Sequence, residues 1–120
     1  MKLYVKHLHS ANDLFLMSDE KFPLFKLLAT QEEVSLDEKK IGLLLPSTNL
    51  VQHGVVFVGG EVRPNWSGQL VMEFQIWQPI TIRKGMIIGH IWIFEDENPI
   101  SFEPTDCETI KPEEGLRILK

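Results

Sequence analysis

The stretch Val62–Phe94, VRPNWSGQLVMEFQIWQPITIRKGMIIGHIWIF, decides how the chain is read. After the turn Pro64-Asn65-Trp66-Ser67-Gly68, Leu70, Met72, Phe74 and Ile76 fall on one parity, with Gln69, Glu73 and Gln75 on the other. A period of two marks a half-buried strand, so one carboxylate, Glu73, stands on the less apolar face. Gln78-Pro79 breaks the run and Ile80 to Ile82 resumes it; Lys84-Gly85 then makes a second turn before the apolar strand Met86 to Phe94. Read by itself, the stretch is expected to fold as a strand, turn, strand, turn, strand meander.

Strand signals continue on both sides of it. Met1 to Leu8 places Leu3, Val5 and His7 on one parity, Ser10 to Asp13 reads as a turn, and Leu14 to Met17 as a short second strand. Asp19 to Glu33 admits two readings. Phe22, Phe25, Leu27 and Leu28 would line a short helix opened by Ser18, Asp19 and Glu20, with Pro23 tolerated only in its first turn; an irregular loop fits equally well. Val34 to Leu36 and Ile41 to Leu45 are strand-like, separated by the charged turn Asp37 to Lys40. Pro46-Ser47-Thr48-Asn49 follows, and Val55 to Val58 reads as a buried strand closed by Gly59-Gly60. Beyond Phe94 come a loop, Glu95 to Pro99, and an acidic, proline-containing segment over about 104–120, expected to be an extended tail with a brief apolar end at Leu116 to Leu119. Many short strands, close turn signals and little helix define an all-β sandwich or barrel.

Composition narrows the class. A chain of 120 residues is most simply one domain, 1–120, with 43% hydrophobic and 24% charged residues in the ordinary globular range. No run approaches the ~20 apolar residues that span a bilayer, and Met1 to Ser10 lacks the apolar core of a secretion signal, so the expected setting is intracellular, the cytoplasm, with no membrane partner. The lone Cys107 cannot form an internal disulfide and reads as an inert thiol. A net charge of -5 argues against a nucleic-acid surface, yet leaves room for a nucleotide held by a few local cations and backbone amides.

The motif order in Pro64-Asn65-Trp66-Ser67-Gly68, Glu73 and Gly85-Met86-Ile87-Ile88-Gly89 resembles the C-terminal half of the dCTP deaminase and dUTPase superfamily, and the deaminase branch more than the dUTPase branch. The similarity extends upstream, more weakly, to about Val34. It implies a distorted jelly-roll β-barrel, a homotrimer with sites between subunits, and a deoxynucleotide substrate, dCTP or dUTP. It also implies that Glu73 acts without a metal, taking a proton from water and delivering one to departing ammonia. From residue type alone, Glu73 equally well solvates the polar face of a strand.

The other motifs depart from the family. Its Arg-Ser-Ser-Leu-x-Arg-x-Gly segment corresponds to Pro46 through Gly54: Ser47 and Thr48 match the hydroxyl pair and Gly54 the glycine after one insertion, but both arginines are missing. A bidentate guanidinium is not replaced at a phosphate by Pro46, Val51 or Gln52. Arg63 stands where the family has an aspartate beside the deoxyribose; it reads as a phosphate holder, a partner of a carboxylate, or a turn arginine. Ser47, Thr48, Arg63 and Trp66 are the residues that the resemblance sets around a substrate. As bare tryptophans, Trp66, Trp77 and Trp92 read as packing or interface residues, and covered faces on both sides of the Trp92 strand suggest a subunit contact. His7 and His9 do not complete a zinc site, and paired zinc-deaminase cysteines are absent. No protein-bound cofactor is expected, although Mg²⁺ can arrive with a nucleotide triphosphate. The alternative is a non-catalytic trimeric module that binds another nucleotide or a protein partner.

Overall fold

The computed structural model describes residues 1–101; the 104–120 tail, its Leu116 to Leu119 end and Cys107 lie outside them. In chain order the elements are β1 (Lys2–His9), β2 (Leu14–Leu16), β3 (Leu24–Ser35), β4 (Lys40–Pro46), α1 (Thr48–Gln52), β5 (Val55–Phe57), β6 (Glu61–Val62), β7 (Ser67–Ile76), β8 (Ile80–Ile82) and β9 (Ile87–Glu95). The described chain is all-β with one short helix, in a jelly-roll-like arrangement. Its ladders form a four-stranded sheet, β1-β9-β4-β6, a three-stranded sheet, β3-β7-β5, and a ribbon, β2-β8; among the described residues they do not run continuously around a closed barrel.

The expected meander is not what forms. Strands β7, β8 and β9 fall in three different sheets: β7 pairs with β3 and β5, β8 with β2, and β9 with β1 and β4. The two breaks between them carry the chain across the molecule, because their amides bond to other elements. Trp77 N–H donates to the Gly54 carbonyl at 3.2 Å, and Gly85 N–H to the Ser10 carbonyl at 2.8 Å.

Asp19 to Glu33 is neither helix nor loop over most of its length. From Leu24 onward it belongs to β3, paired along β7 with Leu24 opposite Ile76 and Ser35 opposite Ser67. Its alternation is hidden in the sequence because both faces are apolar: Leu28 is buried, while Phe25 and Leu27 on the opposite parity are 60% and 68% exposed. Pairing with a long neighbour decides the conformation where periodicity cannot. Val55 to Val58 is likewise only half a buried strand. Val55 is buried, but Val56 and Val58 face out.

The inward faces of all three sheets meet in one core, in which Leu8, Leu50, Phe74, Ile76, Ile82 and Ile91 are fully buried. Phe74 packs at a tilt on Phe57, with ring centroids 5.6 Å apart. Outside β9, His90, Trp92 and Phe94 are half-buried on a face shared with exposed Leu3, Val5 and Leu43 across the register, matching the expected covering of both sides only in part. No helix among the described residues is long and apolar enough to cross a membrane.

One polar clamp ties β1 to β3. A register shift in β3 between Ala29 and Glu33 sets Glu32 against His9, whose backbone N–H donates to Oε1 at 2.5 Å and whose Nδ1–H donates to Oε2 at 2.9 Å. Burial pushes the Glu32 carboxyl up, but the His9 amide and imidazole together outweigh it and hold it below its ordinary value. A depressed carboxyl stabilises the fold above the ordinary carboxylate range, and that stabilisation is lost as pH falls through the depressed value. Glu32→Gln is therefore expected to cost about 1 kcal/mol at pH 7, with the gap from wild type shrinking in thermal melts as acid protonates the carboxyl. An equal gap at every pH would show that the charge is irrelevant.

Candidate functional site

The Trp66 turn is fixed by its neighbours. Leu36 N–H donates to the Trp66 carbonyl at 2.7 Å, Asn65 N–H to the Asp37 carbonyl at 3.2 Å, and Trp66 N–H to the Arg63 carbonyl at 3.3 Å. Asn65 sits at φ 66, a left-handed conformation that asparagine tolerates better than most residues. The Asp37 side chain in turn accepts from Lys39 N–H at 2.8 Å, a bond that holds its carboxyl below the usual range. The turn is thus braced against the β3–β4 connection.

Against this turn lies a cavity of about 350 Å³ lined by Leu44, Glu61, Val62, Arg63, Trp66, Gln69, Leu70 and Val71. It joins a half-exposed indole to a guanidinium, an amide and a carboxylate over an apolar floor, which suits a flat polar ligand. Glu73 does not line the cavity. It follows Val71 on the same outward face of β7, roughly 7 Å along the strand. Its cross-strand neighbours on that face are apolar, with Leu27 directly opposite and Phe25 and Val56 flanking Gln75 one step along. A lone carboxylate in an exposed apolar field becomes a strong proton acceptor only once something covers it.

Ser47 and Thr48 lie elsewhere. Ser47 caps α1, its hydroxyl accepting from Leu50 N–H at 3.3 Å, and its own N–H donates to the Ile88 carbonyl at 3.0 Å. The helix adjoins the far end of β7, where Val55 pairs with Ile76 and Gly54 holds Trp77. Trp66 precedes the first residue of β7, at the opposite end from the Val55–Ile76 pairing beside which α1 finishes. Within one chain the fold brings Arg63 and Trp66 together, and leaves Glu73, Ser47 and Thr48 outside the lining of their cavity. Sequence reading missed α1 itself, although Ser47 at its cap was a legible signal. It also missed His53, which closes the helix.

The histidines are separated by the fold. The register shift between Leu8 and His9 turns His9 to Glu32, while His7 meets His90 edge-on with ring centroids 6.3 Å apart. Among the described residues no three His, Cys, Asp or Glu side chains gather as a metal set.

This jelly-roll-like fold is shared with solved dUTPases. A mutant dUTPase of phage phi11 of S. aureus, a structure concerned with coordination of a structural Mg(II) ion, superposes with TM-score 0.63 at 13% identity, covering 91% of this chain and all of that one. The native EIAV dUTPase gives 0.62 at 13% identity over 91% of this chain and all of that one. A Staphylococcus bacteriophage 80alpha dUTPase mutant with dUpNHpp gives 0.62 at 16% identity, covering 90% and 99%. These define the class by fold. In sequence, residues 7–96 match the family described as dCTP deaminase-like, and the chain belongs to that family. The match reaches back to His7, well upstream of the motifs legible by eye. A similar curated protein is the dCTP deaminase of Photorhabdus laumondii, 29% identical over 110 residues, 85% of this chain. The chain spans about half the length of that relative, 52% of it.

Proposed function

We propose that this chain processes deoxynucleotides as a homotrimer in the cytoplasm, deaminating dCTP to dUTP, with dUTP hydrolysis as the neighbouring activity. One observation carries the reading: in a dCTP deaminase-like chain, Glu73 is the one carboxylate on the outward face of β7, one step past Val71 at the rim of the Trp66 cavity. With the cytosine ring in that cavity, Glu73 takes a proton from water as the water oxygen bonds to C4. It then delivers a proton to the exocyclic nitrogen as the C4–N bond breaks. Ammonia leaves, the remaining hydroxyl proton passes to ring N3 as the C4 carbonyl forms, and Glu73 is regenerated as a carboxylate. Ser47 and Thr48 belong to the phosphate end of the substrate and Arg63 to its sugar or phosphates. Mg²⁺ enters with the triphosphate as part of the substrate.

Ser47 and Thr48 lie outside the Trp66 cavity, and that separation favours assembly, in which one protomer's α1 would meet a neighbour's cavity. Exposed Phe25, Leu27, Val56 and Val71 around Glu73 supply an apolar surface for a second copy, whose cover would also desolvate the carboxylate. Leu27→Lys, a charge set at the centre of that face, is expected to convert a trimer to monomers in sedimentation and to abolish turnover. A trimer that persists would exclude this face from the contact.

The reading is tested by incubating the chain with a panel of deoxynucleotides while following ammonia, pyrophosphate and the melting temperature together. Ammonia from dCTP is expected. The absence of arginine at 46, 51 and 52, with Arg63 in place of an acid, favours a second reading as a non-catalytic binding module. No product together with no melting shift for any deoxynucleotide would leave only that one.

A further inference from the structure

Three rungs of side chains cross the outer face of β1, β9 and β4 in register: Leu3, Phe94 and Ile41; Val5, Trp92 and Leu43; His7, His90 and Leu45. The first two rungs are apolar. The third sets two imidazoles directly opposite one another on adjacent strands, with ring centroids 6.3 Å apart and the rings edge-on. Side chains paired in this way have Cβ atoms about 5 Å apart, a spacing from which two imidazoles reach a common point above the sheet.

The nitrogens of these two rings are unused. His9 is engaged by Glu32 and His53 by the Asn49 carbonyl, whereas neither His7 nor His90 has a hydrogen-bond partner among the described residues. His90 is half-buried and stacks on Trp92 at an interplanar angle of 30°, so packing rather than a hydrogen bond sets its ring. The three rungs hold no lysine or arginine to repel a cation, and the net charge of -5 favours one. Nor do they hold a carboxylate or thiolate. An imidazole pair by itself suits Zn²⁺, Cu²⁺ or Ni²⁺ and is a poor site for Mg²⁺ or Ca²⁺, which take oxygen ligands. Two rings sharing a tetrahedral ion at 2.0–2.1 Å per bond have centroids about 5 Å apart, so the pair must close by about 1 Å. His7 is exposed and can supply that by side-chain rotation.

We infer that His7 and His90 form a two-imidazole chelate for a divalent transition-metal ion, with water in its remaining positions, and that the ion fastens β1 to β9. Strand β1 is the edge of its sheet, and Lys2 to His7 are exposed on both of its faces. Its attachment over that length comes from the ladder with β9, and a shared ion adds a second link across the same ladder. The inference does not depend on the nucleotide reading, since the pair lies on the outer face of the sheet that does not carry Glu73.

The test is calorimetric titration of the full chain with Zn²⁺, Cu²⁺, Ni²⁺ and Mg²⁺ at pH 7.5. Wild type, His7→Gln, His90→Gln, the double variant, His53→Gln and Cys107→Ser are compared, with metal-free melts confirming that each is folded. One Zn²⁺ per chain is expected, with Cu²⁺ tighter than Zn²⁺ or Ni²⁺ and no binding of Mg²⁺. His7→Gln and His90→Gln should each weaken Zn²⁺ by about a hundredfold, since loss even of a ligand's own hydrogen-bond partner costs roughly 10–100-fold. The double variant should be little weaker than either single one, because a chelate is lost with either ring. His53→Gln and Cys107→Ser should bind as wild type does. Zn²⁺ at a hundredfold excess over its Kd should raise the wild-type melting temperature by about 10 °C and leave that of His7→Gln unmoved. His7 is exposed, so His7→Gln decides the matter even if His90→Gln fails to fold. Zn²⁺ held equally by His7→Gln and wild type overturns the inference, as does Zn²⁺ lost with Cys107→Ser or Mg²⁺ bound as well as Zn²⁺. Losses that add in the double variant mean two separate rings and overturn the chelate. No binding of any of the four ions overturns it outright.

Discussion

Glu73→Gln is expected to reduce ammonia release from dCTP by about a thousandfold, within the 10²–10⁴ range that a positioned acid–base group contributes. Glutamine keeps the shape of the side chain and a hydrogen-bonding oxygen, but neither accepts a proton from water nor returns one to the leaving amine. Because Glu73 is exposed on β7, the exchange should leave the melting temperature within about 1 °C of wild type. The oligomer should survive too. Nucleotide binding should change far less than turnover, since the Trp66 cavity remains intact. The pairing of normal stability with lost chemistry separates this prediction from a folding defect. Full turnover in the variant would return Glu73 to the role of a surface carboxylate.

The second large effect concerns Gly89, the last residue of the Gly-Met-Ile-Ile-Gly turn. A Cβ built there would run into the Leu45 carbonyl and stand 2.7 Å from Met72 Cε and 3.2 Å from Met72 Sδ. Met72 can yield by rotating its flexible side chain. The Leu45 carbonyl cannot, because it belongs to β4, whose Leu45 is paired with His90 beside this glycine. Gly89→Ala is expected to cost about 3 kcal/mol, the upper end of overpacking costs, as a lower midpoint in urea with an unchanged slope. Gly85→Ala makes the contrast. That residue needs its freedom for a left-handed φ of 87 and has only the Gln31 amide within 4 Å, so strain alone sets a smaller penalty of about 1 kcal/mol. Equal costs at the two positions would mean that close strand approach is not what the second glycine serves.

Both predictions concern residues legible in the sequence, for physical reasons that can be stated. Local alternation exposed β7 with Glu73 facing outward, and Lys84-Gly85 marked the turn before β9, whereas the close approach at Gly89 is seen only in the structure. The same reading failed at β3. Phe25 and Leu27 on one face and Leu28 on the other blur a period of two into something helical, and only pairing with β7 resolves it. It failed also at α1, a helix of five residues too short to show a period, which His53 closes.

Sequence by itself determined the strand content, the outward parity of Glu73 and the turns at Trp66 and Gly85, because each depends on residues within a few positions of one another. Tertiary structure alone decided that β7, β8 and β9 go to three different sheets and that Ser47 and Thr48 stand on α1, outside the cavity that Arg63 and Trp66 share. Those outcomes depend on which distant strands pair and which apolar faces meet, a choice made by burial over the whole chain and not written in any one stretch of it.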